Sequence, residues 1–273
     1  VSRDALELAK SSDVGQTSVL RSVSAQTIEG QFRRVVGGSA RNEPFEFQYL
    51  GPTLDGNEPA YDLTFEVIPT SRPPTNVHAI VGRNGVGKTH LLFHMAHAML
   101  GTQASDHDFG KFLEQSTKER LPFSGLAYVA FSAFDRFEPP SDASAPTRRR
   151  SHCSYVGLRD VDAESAADAE GLPGRLKGPA QLAEEFCTSV AVCLSESARR
   201  DRWMAAMEVL QSDPMFAEAG VVTRLGHEWR NFASLRREAG PLFEGLSSGH
   251  KIVLLTLTRL VETVQERTLV LMD

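Results

Sequence analysis

Eight residues, Gly82-Arg83-Asn84-Gly85-Val86-Gly87-Lys88-Thr89, constrain this chain more than any other stretch. They read G-x-x-x-x-G-K-T. Glycines at these places let the backbone curl so that successive N–H groups converge on one anion. A lysine after the last glycine reaches terminal phosphates, and the threonine hydroxyl beside it suits Mg²⁺. The flanks predict a matching context. Val77-His78-Ala79-Ile80-Val81 is a short apolar run and reads as a buried strand. From His90 to Leu100 the pattern reads as a helix, whose N-terminal dipole favours phosphate charge. A plain glycine turn would not explain why Lys-Thr follows the last glycine. Strand, glycine loop and helix in this order predict an α/β protein. The expected nucleotide-binding residues are Arg83, Asn84, Gly85, Val86, Gly87, Lys88, Thr89 and His90.

Composition narrows the setting. Of 273 residues, 41% are apolar and 23% charged, which suits a globular chain. No apolar run approaches the roughly 18 residues of a membrane span, and no signal peptide is visible, so the expected compartment is cytoplasmic, with no membrane partner. Cys153, Cys187 and Cys193 have no metal-type spacing, and an odd count argues against a disulfide framework. A net charge of −6 argues against non-specific coating of nucleic acid and leaves room for a local basic patch. The chain opens on Val and stops at a motif, so it reads as a fragment of a longer protein.

Along the chain, residues 1–44 mix Ser, Gly and charge and read as a partly disordered leader. Residues 45–50 and 61–68 read as an antiparallel strand pair around a Gly/Pro/Asp/Asn turn. In the second strand Leu63, Phe65 and Val67 share one side. On the helix after the glycine loop, Leu91, Met95, Ala98 and Met99 form the apolar arc. His90, His94 and His97 form a separate arc that reads as a polar face rather than a metal site, because no carboxylate or cysteine completes it. Residues 126–131 read as a further strand, with Ser132, Asp135 and Arg136 just past its end. Residues 138–178 read as a flexible insertion that carries Arg148-Arg149-Arg150 and a short strand at 154–158. Helical spacing returns at Leu182, Phe186, Val190 and Leu194 and again at Trp203, Met207 and Leu210. A third helix is expected at 227–237, stopped by Gly240-Pro241. Cys187 falls among the core positions.

Two C-terminal features sharpen the reading. Thr268-Leu269-Val270-Leu271-Met272-Asp273 is an apolar strand ending in a carboxylate, the form of a strand whose Asp reaches Mg²⁺ through water. Ahead of it stands Leu246-Ser247-Ser248-Gly249-His250, followed by a buried-helix pattern in Val253, Leu257, Leu260, Val261 and Val264.

These motifs resemble the ABC-type P-loop ATPases, including SMC and RecF-like proteins. Asn84 gives G-x-N-G-x-G-K-T, and Leu246-Ser247-Ser248-Gly249-His250 is similar to the family's L-S-G-G-Q signature, with Ser248 for Gly and His250 for Gln. The order of loop, helical insertion, signature, helix and acidic strand also matches. The resemblance implies a P-loop NTPase fold with an ABC-ATPase-like core sheet, antiparallel N-terminal strands and an inserted helical subdomain. The core would comprise 45–137 plus 244–273, and the insertion 138–243. It implies ATP and Mg²⁺ as cofactors, with Lys88 on phosphate and Thr89 and Asp273 on the metal, so Lys88 and Asp273 are the expected catalytic residues. It also implies a head-to-head homodimer or higher oligomer in which Ser247, Ser248 and Gly249 of one head contact the γ-phosphate held by the other. The place of the family's Q-loop falls at 131–137, where no Gln stands. The family's catalytic glutamate follows the acidic strand, and this sequence stops at Asp273. ATP hydrolysis is therefore expected of the full-length protein, and binding without efficient turnover of the chain as written.

A narrower resemblance rests on Ser132-Ala133-Phe134-Asp135, Tyr155-Val156-Gly157-Leu158 and Ser247-Ser248-Gly249-His250. They are similar to the ATPase of Septu-type and retron-associated anti-phage defence systems. That family implies an HNH nuclease partner under ATPase control. The alternatives are an SMC/RecF-like DNA-repair head that recruits nucleic acid and a nucleotide-gated scaffold without turnover. The first lacks sustained heptads for coiled-coil arms.

Overall fold

Tyr49, Phe47 and Phe112 alternate with polar neighbours on short strands, and the fold begins by burying that aromatic face. The computed structural model describes residues 44–54, 58–102, 108–114, 123–133, 139–140, 152–161 and 175–273. The leader reading (up to residue 43), Arg148-Arg149-Arg150, Asp135 and Arg136 lie outside the described residues. The chain is a mixed α/β protein with small separate sheets, and it divides into two units.

The first unit comprises residues 1–128, 140–154 and 265–273. Strand β1 (Phe45–Leu50) is followed by the short ladder of β2 (Thr53–Leu54) with β3 (Glu58–Pro59) and then by β4 (Asp62–Val67). As the sequence predicts, β1 and β4 run antiparallel, Phe45 opposite Val67 and Leu50 opposite Asp62. Helix α1 (Lys88–Leu100) comes next. After it β5 (Lys111–Glu114), which the sequence pattern did not reveal, pairs antiparallel with the free edge of β1. Phe47 stacks on Phe65 at 4.8 Å and takes the edge of Phe123 at the same distance, while Tyr49 and Phe112 pack at 5.0 Å. Aromatic pairs of this kind prefer offset or edge-on contact and fix strand register. The Tyr49 hydroxyl donates to Phe109 O at 2.8 Å, and burial pushes its ionisation well above the usual phenol range.

A second sheet, in the order β10-β6-β7, contains β6 (Gly125–Ala130), β7 (His152–Gly157) and β10 (Thr268–Met272). All six residues of β6 are buried. That explains a continuous rather than alternating apolar run. The unit boundary falls within β6 and β7.

The second unit comprises 129–139 and 155–264. After the ladder of β8 (Arg159–Asp160) with β9 (Arg175–Leu176) come α2 (Pro179–Leu194), α3 (Ser197–Leu210), α4 (Pro214–Ala219), α5 (Val221–Leu225), α6 (Phe232–Gly245) and α7 (Ser248–Thr263). Phe186, Val190, Trp203, Met207, Leu235, Phe243 and Leu254 form one buried cluster across α2, α3, α6 and α7. Trp203 is fully buried and donates from Nε1 to Thr258 Oγ1 at 3.1 Å, tying α3 to α7. Cys187 and Cys193 are buried here, and burial pushes the Cys187 thiol up to about 11 and the Cys193 thiol up to about 12.

Three expectations meet a different structure. Residues 77–81 are not a strand: no ladder partner lies beside them among the described residues, and Val77 and Val81 are 77% and 92% exposed. An apolar run announces side chains that favour burial, but a strand also needs a hydrogen-bonded neighbour. His94 and His97 are not on an open polar face; both are buried, with Phe109 stacked on His97 at 4.7 Å and edge-on to His94 at 5.7 Å. Among the described residues no three His, Cys, Asp or Glu side chains cluster as metal ligands. Helix α6 starts later than expected and runs through Gly240-Pro241, because Leu242 and Phe243 continue the buried face of Leu235 and Ala239. Leu246, Leu254 and Leu255 pack in the buried cluster of the helical unit. No helix among the described residues is long and apolar enough to cross a membrane.

Candidate functional site

The glycine loop is shaped by two left-handed residues, Gly85 at φ 79° and Gly87 at φ 97°. A side chain disfavours that conformation by roughly 1–2 kcal/mol, so glycine is required here by backbone geometry. Space is not the reason, since a Cβ on Gly85 would meet nothing within 4 Å. Gly87 is also the N-cap of α1. The first N–H groups of a helix have no partner within it, and α1 begins at Lys88, directly after the loop. The loop therefore sits at the positive end of a helix dipole, a place that favours negative charge, and within it Val86 N donates to Arg83 O at 3.4 Å.

Side chains complete the cradle. Lys88 Nζ donates to Gly82 O and Arg83 O, each at 3.0 Å, so the ammonium lies over the loop. Thr89 Oγ1 donates to Asp273 Oδ1 at 3.1 Å, across 184 residues of sequence. Helix α1 packs on β10, which delivers Asp273 to that point. A hydroxyl and a carboxylate side by side are a hard-oxygen pair suited to Mg²⁺ and its waters. Tyr61 has its hydroxyl near 87: a Cβ on Gly87 would lie 3.9 Å from it. Phe65 is engaged by Phe47 and, at 4.9 Å, by His78. Residues 82–86 are exposed throughout, and Val86 is 64% exposed. The loop is thus open to solvent along its outer side.

The Leu246–His250 motif lies in the helical unit. Leu246 is buried, while Ser247, Ser248 and Gly249 are exposed at the start of α7. Ser247 is the N-cap, its Oγ accepting from His250 N at 3.4 Å, and the same Oγ lies 2.5 Å from His250 Nδ1. On its far side His250 Nε2 is 3.4 Å from Asp213 Oδ2. Asp213 is fixed in turn as the N-cap of α4, accepting from Met215 N at 2.8 Å, and Phe216 presses against the His250 ring at 4.9 Å. In the sequence His250 stands out only as a departure from Gln, and Asp213 is assigned no part in a site. A signal was present in both. Ser-x-x-His occupies the N-cap and N3 places of a capping box, and Asp-Pro is an N-cap followed by a first-turn proline.

Past β6, the buried guanidinium of Arg159 donates from Nη2 to Ala133 O at 2.9 Å, and Tyr155 OH donates to Ala130 O at 3.1 Å. The strand-exit segment that holds Ser132 is therefore pinned by β7 and β8. No pattern in the sequence marks an isolated arginine as buried.

No protein-family model matches the chain, and no solved structure matches it. It is similar to Protein ea59 of Escherichia phage lambda, 32% identical over 280 residues that cover 94% of this chain. The chain spans about half, 50%, of that relative's length.

Proposed function

We propose that the chain is the nucleotide-binding part of an ABC-type P-loop ATPase. It binds Mg-ATP in the cradle at 82–89 and closes it with Ser247, Ser248 and Gly249 of a second subunit. The observation that carries this reading is the 3.1 Å approach of Thr89 and Asp273 beside the glycine loop. Nothing in a structural turn requires those two side chains, 184 residues apart, to meet. Lys88 balances the charge of the terminal phosphates, Thr89 and Asp273 hold the metal, and the α1 N-terminus donates N–H groups. Bound Mg²⁺ supplies charge neutralisation at the phosphates. The exposed signature at the start of α7 adds a second helix N-terminus, from the other subunit.

Ligand that binds only the associated state stabilises it by mass action, so ATP acts as a switch for dimerisation. Control of an HNH nuclease in anti-phage defence is the finer part of the proposal, and it rests on the short runs around Ser132, Tyr155 and Ser247. The test is sedimentation of the full-length protein with and without Mg-ATP. The expected result is association with ATP and its loss in Lys88→Ala. Equal ATP affinity and equal association in Lys88→Ala would overturn the proposal.

A further inference from the structure

We propose that Asp213 and His250 form a relay that sets the direction of the Ser247 hydroxyl proton, and so govern the contact Ser247 makes with a second subunit's terminal phosphate. The inference rests on the composite-site reading above and assigns two positioning residues to it.

Capping alone does not explain the geometry. An N-cap serine needs only its oxygen and a backbone N–H. Here that contact is the long one at 3.4 Å, and the short one, 2.5 Å, runs to a ring nitrogen. The opposite ring nitrogen faces a carboxylate at 3.4 Å. A hydroxyl has one proton to give. In the neutral ring the carboxylate favours a proton on Nε2, which leaves Nδ1 as an acceptor. The Ser247 proton then points inward, and Oγ shows only lone pairs to an approaching phosphate. In the doubly protonated ring Nδ1–H donates to Oγ, and the Ser247 O–H swings outward as a donor. The balance is one proton taken from solvent to Nδ1, while Ser247 keeps its own. Asp213 opposes the positive charge of that state. The groups facing His250 are the Asp213 carboxylate, the Ser247 hydroxyl and the Phe216 ring, and Lys251 follows it on α7. An arriving phosphate favours the outward donor, so closure of the composite site takes up a proton.

The experiment uses full-length protein with Mg²⁺ and a non-hydrolysable ATP analogue. Association is read by sedimentation, and proton uptake by calorimetry in two buffers of different ionisation enthalpy. Asp213→Asn keeps the α4 cap, because Asn caps as well as Asp, and removes the charge from His250. We expect it to weaken association about tenfold, the worth of a charge-assisted hydrogen bond. The affinity of dilute, unassociated protein for the nucleotide stays the same. Asp213→Asn combined with Ser247→Ala should associate no worse than Ser247→Ala alone, because residues acting through one group are not additive. Proton uptake should be present in the wild type and absent in His250→Gln. Unchanged association in Asp213→Asn, additive losses in the double variant, or equal proton uptake in His250→Gln would each overturn the relay and leave the composite site standing. Wild-type protein that binds the analogue without associating would overturn the composite site, and the relay with it.

Discussion

In the first unit, the groups we propose to face a ligand belong to the backbone of an exposed loop shaped by two left-handed glycines. In the helical unit they are a serine hydroxyl and a helix terminus seated on a closed apolar cluster, with a histidine and an aspartate behind them. The cradle is thus fixed by local chain conformation. The signature is fixed by packing: α7 stands where it does because Leu254 and Leu255 are buried and Trp203 is bonded to Thr258. A site made from backbone conformation tolerates little change at glycine and much change around it. A site seated on a core fails when the core does.

That contrast can be broken at several points. The largest effect should come from Trp203→Ala, which empties a fully buried site and strands the Thr258 hydroxyl. It should cost roughly 3–5 kcal/mol of stability in the helical unit, measured by denaturant unfolding, while a change of under about 1 kcal/mol would show that α7 does not depend on this core. Next, Lys88→Ala should weaken ATP binding about 10- to 100-fold, as loss of a bond to a charged group does, with unfolding midpoints unchanged. Gly87→Ala should cost about 1–2 kcal/mol of local conformational energy and appear as weaker ATP binding without loss of the helical unit's cooperativity. Wild-type affinity in that variant would show that the left-handed turn is dispensable.

The pH limbs of stability should be the smallest and should also differ between the units. Backbone N–H bonds from Gly110 and Thr53 hold the Asp108 carboxyl below its usual range. A depressed folded value means that stability is present above the unfolded value and is lost as pH falls through the folded one. Asp108→Asn should therefore flatten the acid limb of the first unit. Burial raises Cys187 to about 11 and Cys193 to about 12. Raised folded values mean full stability below the ordinary thiol range and loss as pH climbs through those values. Cys193→Ala should remove part of the alkaline limb of the helical unit, as read by its circular dichroism at increasing pH.

The legibility of the sequence followed the same divide. The loop at 82–89 could be read because glycine and Lys-Thr spacing report local backbone chemistry. The pairing of β1 with β4 was readable from strict alternation in 62–67. The contacts that needed the fold were not readable: residues 77–81 look like a strand to any hydrophobicity pattern yet have no ladder partner among the described residues, and α6 passes through Pro241 because burial on its face outweighs a local breaker. Thr89 stands out in the sequence as the hydroxyl after the glycine loop and Asp273 as the carboxylate ending an apolar strand, and only the fold shows them meeting. Asp213 was hidden because its role depends on a ring nitrogen 37 positions away in sequence, at His250.

The most direct test of the central claim is a mixing experiment read by sedimentation in Mg-ATP. One full-length protein carries Lys88→Ala and the other Ser247→Arg. Each alone has both composite sites damaged and should remain unassociated. Together they can form one intact site from the cradle of the second and the signature of the first, so the account predicts that association returns on mixing. Association of Ser247→Arg alone at the wild-type level, or no recovery on mixing when wild type associates, would contradict it.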